Sequence, residues 1–223
     1  MKNNLMAAAA IKLLAGLLIL MLILFLPAGS LQYANGWLFL GILFIPMLIM
    51  GIVLKLKNPE LLQKRLNAKE TESEQQSVVR ISGIMFLAGF ITAGLNYRFG
   101  WFMLPRWAVI AAAVLFLLSY AMYAEVLREN AYLSRTIEVQ ENQKVVDTGL
   151  YGIVRHPMYS ATVLMFLAVP LVLGSLIALP VFCIYPAVIV KRIRNEEEVL
   201  ERGLAGYAEY KQKVKYRLIP YVY

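Results

Sequence analysis

The sequence predicts an all-α fold, a polytopic membrane helical bundle of five to six transmembrane helices that ends in a helical hairpin and a cytoplasmic C-terminal region. Three observations predict it. Of 223 residues, 60% are apolar, and the mean hydropathy of +0.64 is far above that of an ordinary soluble domain. Four separate apolar stretches each reach the roughly 20 residues that a hydrocarbon layer about 30 Å thick demands of a helix. A fifth apolar block, residues 158–190, is too long for one crossing and barely enough for two.

The first span, residues 5–26, is interrupted only by Lys12. Ala28-Gly29-Ser30 follows it as a signal cleavage site would, but its length exceeds that of a signal-peptide core, so it is read as a retained span. Residues 37–54 carry no charge and form the second span. The segment 55–80 mixes charge signs, is rich in helix formers and holds no glycine-rich phosphate cradle, which makes it an interfacial cytoplasmic connector. Residues 78–97 and 107–123 are the third and fourth spans. They are joined by NYRFGWFMLPR, whose Trp101, Phe102 and Trp107 suit a membrane interface.

In the fifth block, LVLGSL marks a reversal at Gly174 and Ser175. Each arm of the resulting hairpin holds about 16 residues, roughly 24 Å at about 1.5 Å per residue, so both arms are expected to extend into the flanking charged segments. Six crossings with a cytoplasmic N-terminus put nearly all the basic residues inside: Lys2, the cluster from Lys55 to Arg80, that from Arg128 to Arg155, and that from Lys191 to Arg217. Arg98 and Arg106 remain outside. The net charge of +8 then reflects topology and anionic lipid, and a nucleic-acid partner is not expected. With one cysteine, Cys183, and one histidine, His156, neither an intrachain disulfide nor a metal site is expected.

Polar groups collect in the C-terminal half. After the polar stretch 125–144, Val145 and Val146 read as a short extended piece entering the turn Asp147-Thr148-Gly149, where Gly149 and Gly152 admit close backbone approach to a ligand or to packed chain. The motif GLYGIVRHPMY, residues 149–159, holds the sole histidine. Taken singly, Arg155 snorkels, His156 caps a helix, Pro157 opens a first helical turn and Tyr159 joins an aromatic belt. Arg192 and Glu196, four residues apart, share a helix face with Leu200 as an ion pair would. Gly203 and Gly206 break that helix, and Tyr207, Tyr210 and Val214 then recur at helical spacing, as on an interfacial amphipathic helix. Taken together, the hairpin brings Arg155, His156, Tyr159, Arg192 and Glu196 to one membrane face, and ionisable groups converging at such depth mark a functional site.

GLYGIVRHPMY, an apolar hairpin, RIRNEEEVL and GYAEYKQKVKYRLIP together resemble the isoprenylcysteine carboxyl methyltransferase (ICMT) family of integral membrane methyltransferases, over residues from about 136 to 220. The resemblance implies an S-adenosylmethionine-dependent enzyme that methylates the carboxylate of an isoprenylcysteine-like lipophilic substrate, with cofactor arriving from the cytoplasm and substrate from the bilayer. It divides the chain into four N-terminal spans, residues 1–125, and a catalytic region, residues 126–223. Carried over by position, the cofactor contacts are Thr136, Gln143, Lys144, Val145, Val146, Tyr151, His156, Pro157, Met158, Tyr159 and Glu196. Arg192 is the substrate-binding arginine, and catalysis rests on Arg192 and Glu196. Gln143 stands where animal members have histidine, and GLAGY where FGxxY is common. The resemblance also implies a multi-pass protein, of a bacterial inner membrane, with its site facing the cytoplasm and membrane lipids as neighbours. Phospholipid (phosphatidylethanolamine) N-methyltransferases and NADPH-dependent sterol-type reductases share parts of this pattern, and a non-enzymatic scaffold is the remaining alternative.

Overall fold

The computed structural model describes residues 2–66, 73–133, 137 and 139–223. Four long helices build the N-terminal part: α1 (Lys2–Ala28), α2 (Ala34–Lys57) and, after the short polar α3 (Pro59–Leu66), α4 (Ser73–Phe99) and α5 (Arg106–Glu129); α1 packs against α4 and α2, and α2 against α5. All four are long and apolar enough to cross a membrane. Their outward faces expose Leu14, Leu18, Leu22, Ile49, Ile84 and Leu118. Such side chains face lipid without cost, whereas backbone groups must be satisfied within each helix.

The fifth apolar block is a hairpin. Its arms are α6 (Pro157–Val172) and α8 (Ile184–Gly203), separated by a bend and the single turn α7 (Leu179–Phe182). The bend turns on Gly174, whose φ of +72° is left-handed backbone that favours glycine. Its tip is anchored at the far end of the bundle: the Leu104 amide donates to the Gly174 carbonyl at 3.0 Å, and the Tyr33 hydroxyl donates to the Leu173 carbonyl at 2.5 Å. The hairpin therefore runs the full height of the four-helix part.

The arms differ from the expectation that both reach into charged sequence. α6 is 16 residues long and starts at Pro157, because a residue before proline is pushed out of helical conformation and His156 sits at φ −125°, ψ 61°. Only α8 extends: it leaves the apolar layer at Lys191 and continues to Gly203. The chain then turns at Gly206 into α9 (Tyr207–Lys213).

The core lies where the hairpin meets α1, α2, α4 and α5. Phe182, fully buried, packs edge-on to Phe90 with ring centroids 5.7 Å apart, and Phe39 meets Phe116 in the same manner at 6.0 Å. Gly89 permits this contact, since a methyl group there would lie 2.4 Å from the Phe182 ring. At the end that carries most of the basic residues, α3 buries Leu61 and Leu62 against Leu54 and Leu127. Its Lys64 ammonium donates to the Gln140 side-chain carbonyl at 2.5 Å, which ties the connector to the loop that overhangs the hairpin mouth.

Candidate functional site

Between the start of α6, the charged half of α8, α9 and the loop after α5 lies a cleft of about 830 Å³, counting the water at its open mouth. The loop contributes Gln143, Lys144, Val145 and Val146. Tyr151 comes from the 3₁₀ turn Gly149–Gly152, and Arg155, His156, Met158 and Tyr159 from the entry to α6. Arg192 and Glu196 line it from α8. Two of the expected cofactor contacts stand apart: Pro157 does not line the cleft, because it forms the first turn of α6, and Thr136 lies outside the described residues.

Tyr159 organises the polar centre. Its hydroxyl donates to Glu196 Oε2 at 2.5 Å and accepts from Arg192 Nε at 2.9 Å. The four-residue spacing of Arg192 and Glu196 therefore brings both onto one hydroxyl. One position on, about 100° around α8, stands Glu197, only 2% exposed. Its Oε1 accepts from Arg155 Nε at 2.8 Å and lies 3.2 Å from His156 Nε2. Its Oε2 accepts from Arg217 Nε at 2.9 Å. Burial works to raise the Glu197 carboxyl, but hydrogen bonds from His156, Arg217 and Arg155 outweigh it and hold the group well below the usual carboxylate range. Arg155 is thus a buried ion-pair member and not a snorkelling side chain. His156 stands at the N-terminus of α6 without a side-chain cap.

Elements around the cleft are tied to one another through polar contacts. Asn130, at the end of α5, donates Nδ2–H to the Tyr151 hydroxyl at 2.9 Å, and the Tyr210 hydroxyl donates to the Tyr151 carbonyl at 2.8 Å. Gly149, at φ +51°, brings its backbone onto Glu129, whose Oε2 accepts the Leu150 amide at 3.1 Å. The last residues close the back: the Arg155 and His156 amides donate to the Tyr216 and Arg217 carbonyls, both at 2.9 Å.

α9 departs from the amphipathic interfacial reading. Tyr207, Tyr210 and Val214 do share a face, yet that face is buried with Leu204 against Val139, Val145 and Leu200. Tyr207 lines the cleft, and its buried hydroxyl has no hydrogen-bond partner among the described residues. Burial, then Glu197 and Glu196, push the Tyr207 phenol upward, so it stays protonated and able to donate. Sequence reasoning assigned no role to Glu197 or Asn130 and read Tyr207 and Tyr210 only as an interfacial helix face. The run Glu196-Glu197-Glu198 was a usable signal, because successive helical positions point about 100° apart and so serve different sets of partners.

A family model described as phospholipid methyltransferase matches residues 99–205. Among solved structures, the eukaryotic intramembrane Ras methyltransferase ICMT (isoprenylcysteine carboxyl methyltransferase) superposes with a TM-score of 0.56 at 17% identity, over 92% of this chain and 74% of that one. The chain has the ICMT fold. The ICMT-like integral membrane methyltransferase resemblance read from the sequence is met by that fold and by the family model together. Among curated proteins, the Delta(14)-sterol reductase TM7SF2 of Mus musculus is 36% identical over 91 residues, which are 40% of this chain and 22% of the reductase. This chain therefore spans about a fifth of that relative's length, whereas the ICMT fold accounts for nearly all of it.

Proposed function

We propose that this protein is an S-adenosylmethionine-dependent integral membrane methyltransferase that methylates the carboxylate of an isoprenylcysteine-like lipophilic substrate, with its cleft open to the cytoplasm. One observation carries the reading: the Arg192–Tyr159–Glu196 relay lies in an aromatic-lined cleft at the mouth of a membrane hairpin. The donor set fits the cofactor. A carboxylate suits its ammonium group, Tyr151 and the valines suit its adenine, and the Tyr207 hydroxyl, without a partner among the described residues, offers one buried donor.

When bound, S-adenosylmethionine supplies a methyl group on a sulfonium sulfur. Glu196 orients the cationic end of the cofactor through charge-assisted hydrogen bonds. Arg192 holds the acceptor carboxylate, a role for which its planar fork suits it better than a lysine. Tyr159, bonded to both, sets their spacing, and Val145, Val146 and Tyr151 keep water from the transfer. An anionic acceptor needs no proton removed, so positioning dominates. In this reading residues 126–223 carry the reaction and residues 1–125 supply the lipid-facing wall.

The phospholipid methyltransferase match favours a second reading, transfer to the amine of phosphatidylethanolamine, in which Glu196 takes the proton that the amine must lose. The sterol reductase match favours a third, with NADPH in the cleft. Purified protein in nanodiscs, given labelled S-adenosylmethionine and a panel of prenylcysteine analogues, phosphatidylethanolamine and total membrane lipid, separates them. Label on the prenylcysteine carboxylate, lost in Arg192→Ala and Glu196→Ala, is expected. Label on no acceptor, or NADPH binding in place of S-adenosylmethionine, overturns the proposal.

A further inference from the structure

Glu197 is the least exposed charged side chain among the described residues, and of its ionic partners only Arg217 is partly exposed. Two guanidinium groups reach it: Arg155 Nε at 2.8 Å from Oε1, and Arg217 Nη2 at 2.8 Å from Oε2. A carboxylate so paired is ionised, and an ionised carboxylate only accepts. The remaining neighbour of Oε1 is His156 Nε2 at 3.2 Å. That nitrogen must therefore be the donor, and in a neutral imidazole the other nitrogen is then bare. His156 Nδ1 lies on the side of Glu196, 3.9 Å from its Oε1, too far for a hydrogen bond. The ring lines the cleft.

We infer that Glu197 is a positioning residue: it holds His156 as the Nε2–H tautomer and so presents the cleft with a hydrogen-bond acceptor at Nδ1. The group that meets His156 is then a donor, an amino or hydroxyl function, and not a carbonyl or phosphate oxygen. Only the identity of that ligand rests on the cofactor reading above. The same carboxylate anchors the C-terminal tail through Arg217, while the Arg155 Nη1 donates to the Val214 and Lys215 carbonyls at 2.7 and 2.8 Å. The tail and the imidazole thus share one buried anion, which makes a purely structural role the rival explanation.

His156 is the only histidine, so a long-range 1H–15N correlation spectrum of the full chain, labelled with 15N-histidine in nanodiscs at pH 8, reports this ring alone. The wild-type spectrum is expected to show Nε2 protonated and Nδ1 bare. Arg217→Ala loosens the tail and leaves that pattern unchanged. In Glu197→Gln the amide donates as well as accepts, so the pattern moves toward a mixture of tautomers. Affinity for S-adenosylhomocysteine then falls with the fraction of rings left in the Nε2–H form, about twofold for an equal mixture. In the wild type, S-adenosylhomocysteine shifts the Nδ1 resonance and spares Nε2. An Nδ1–H or doubly protonated ring in the wild type overturns the inference, even if no variant folds, and so does a Glu197→Gln protein that keeps both tautomer and affinity. Failure of S-adenosylhomocysteine to bind while the wild-type tautomer is as stated sinks the cofactor reading and leaves the assignment of Glu197 standing.

Discussion

Replacing Tyr159 by phenylalanine removes a single oxygen and keeps the ring that packs with Met85, Tyr185 and Ile189. Two charge-assisted hydrogen bonds go with it, to Glu196 Oε2 at 2.5 Å and from Arg192 Nε at 2.9 Å. Such bonds contribute about 1.5–3 kcal/mol each when nothing replaces them. Here water enters from the cleft, and the Glu196 side chain is 23% exposed, so the lower end applies to each bond. A combined loss of about 2–3 kcal/mol in transition-state positioning corresponds to roughly a 30- to 150-fold drop in kcat/KM. Because both ionic partners stay partly hydrated, folding stability should change by less than about 1 kcal/mol. The assay is methyl transfer to a prenylcysteine analogue in nanodiscs, with thermal unfolding followed in parallel. A Tyr159→Phe protein whose kcat/KM stays within about threefold of wild type would refute the claim that this hydroxyl sets the geometry of Arg192 and Glu196.

Tyr207→Phe removes a buried hydroxyl with no hydrogen-bond partner among the described residues. The ligand-free variant should melt at the same temperature as wild type or higher, while cofactor affinity measured by calorimetry falls, and a lower melting point with unchanged affinity would contradict this. Gly149→Ala sets a methyl group 1.5 Å from Glu129 Oε1, at a φ of +51°. It should lower the melting temperature by several degrees and weaken cofactor binding, because alanine is strained in left-handed backbone and the Glu129 carboxylate, which holds the Leu150 amide of the turn that carries Tyr151, must move aside. Glu197 has a folded-state pKa below its unfolded value. Its contribution to stability is therefore complete above the unfolded carboxylate value of about 4.3 and is lost as pH falls toward the lower folded one. Unfolding monitored from pH 7 down to pH 3 should show this acid-side loss in wild type and a flatter profile in Glu197→Gln.

The spans, the hairpin and its reversal at Gly174 were legible in the residue order, because the bilayer imposes a simple rule on it: about 20 apolar residues per crossing, with breaks at glycine and charge. Arg192 and Glu196 were legible as a pair because helical spacing alone brings positions four apart together. The start of α6 was legible in part, since Pro157 dictates it, though its consequence, a first arm that stops short of the charged sequence, was not drawn. Which of two adjacent glutamates faces Tyr159 and which is sealed under Arg155, His156 and Arg217 depends on how α8 is rotated in the bundle, and that rotation is set by contacts with segments about 20 to 40 residues distant. The burial of Tyr207 and Tyr210 likewise needed the fold, because an apolar helix face looks the same in sequence whether it meets lipid or the underside of a loop. Local order in the chain determined where helices begin, end and cross. Only tertiary packing decided which polar groups lost their water, and with it which of them must find partners in one another.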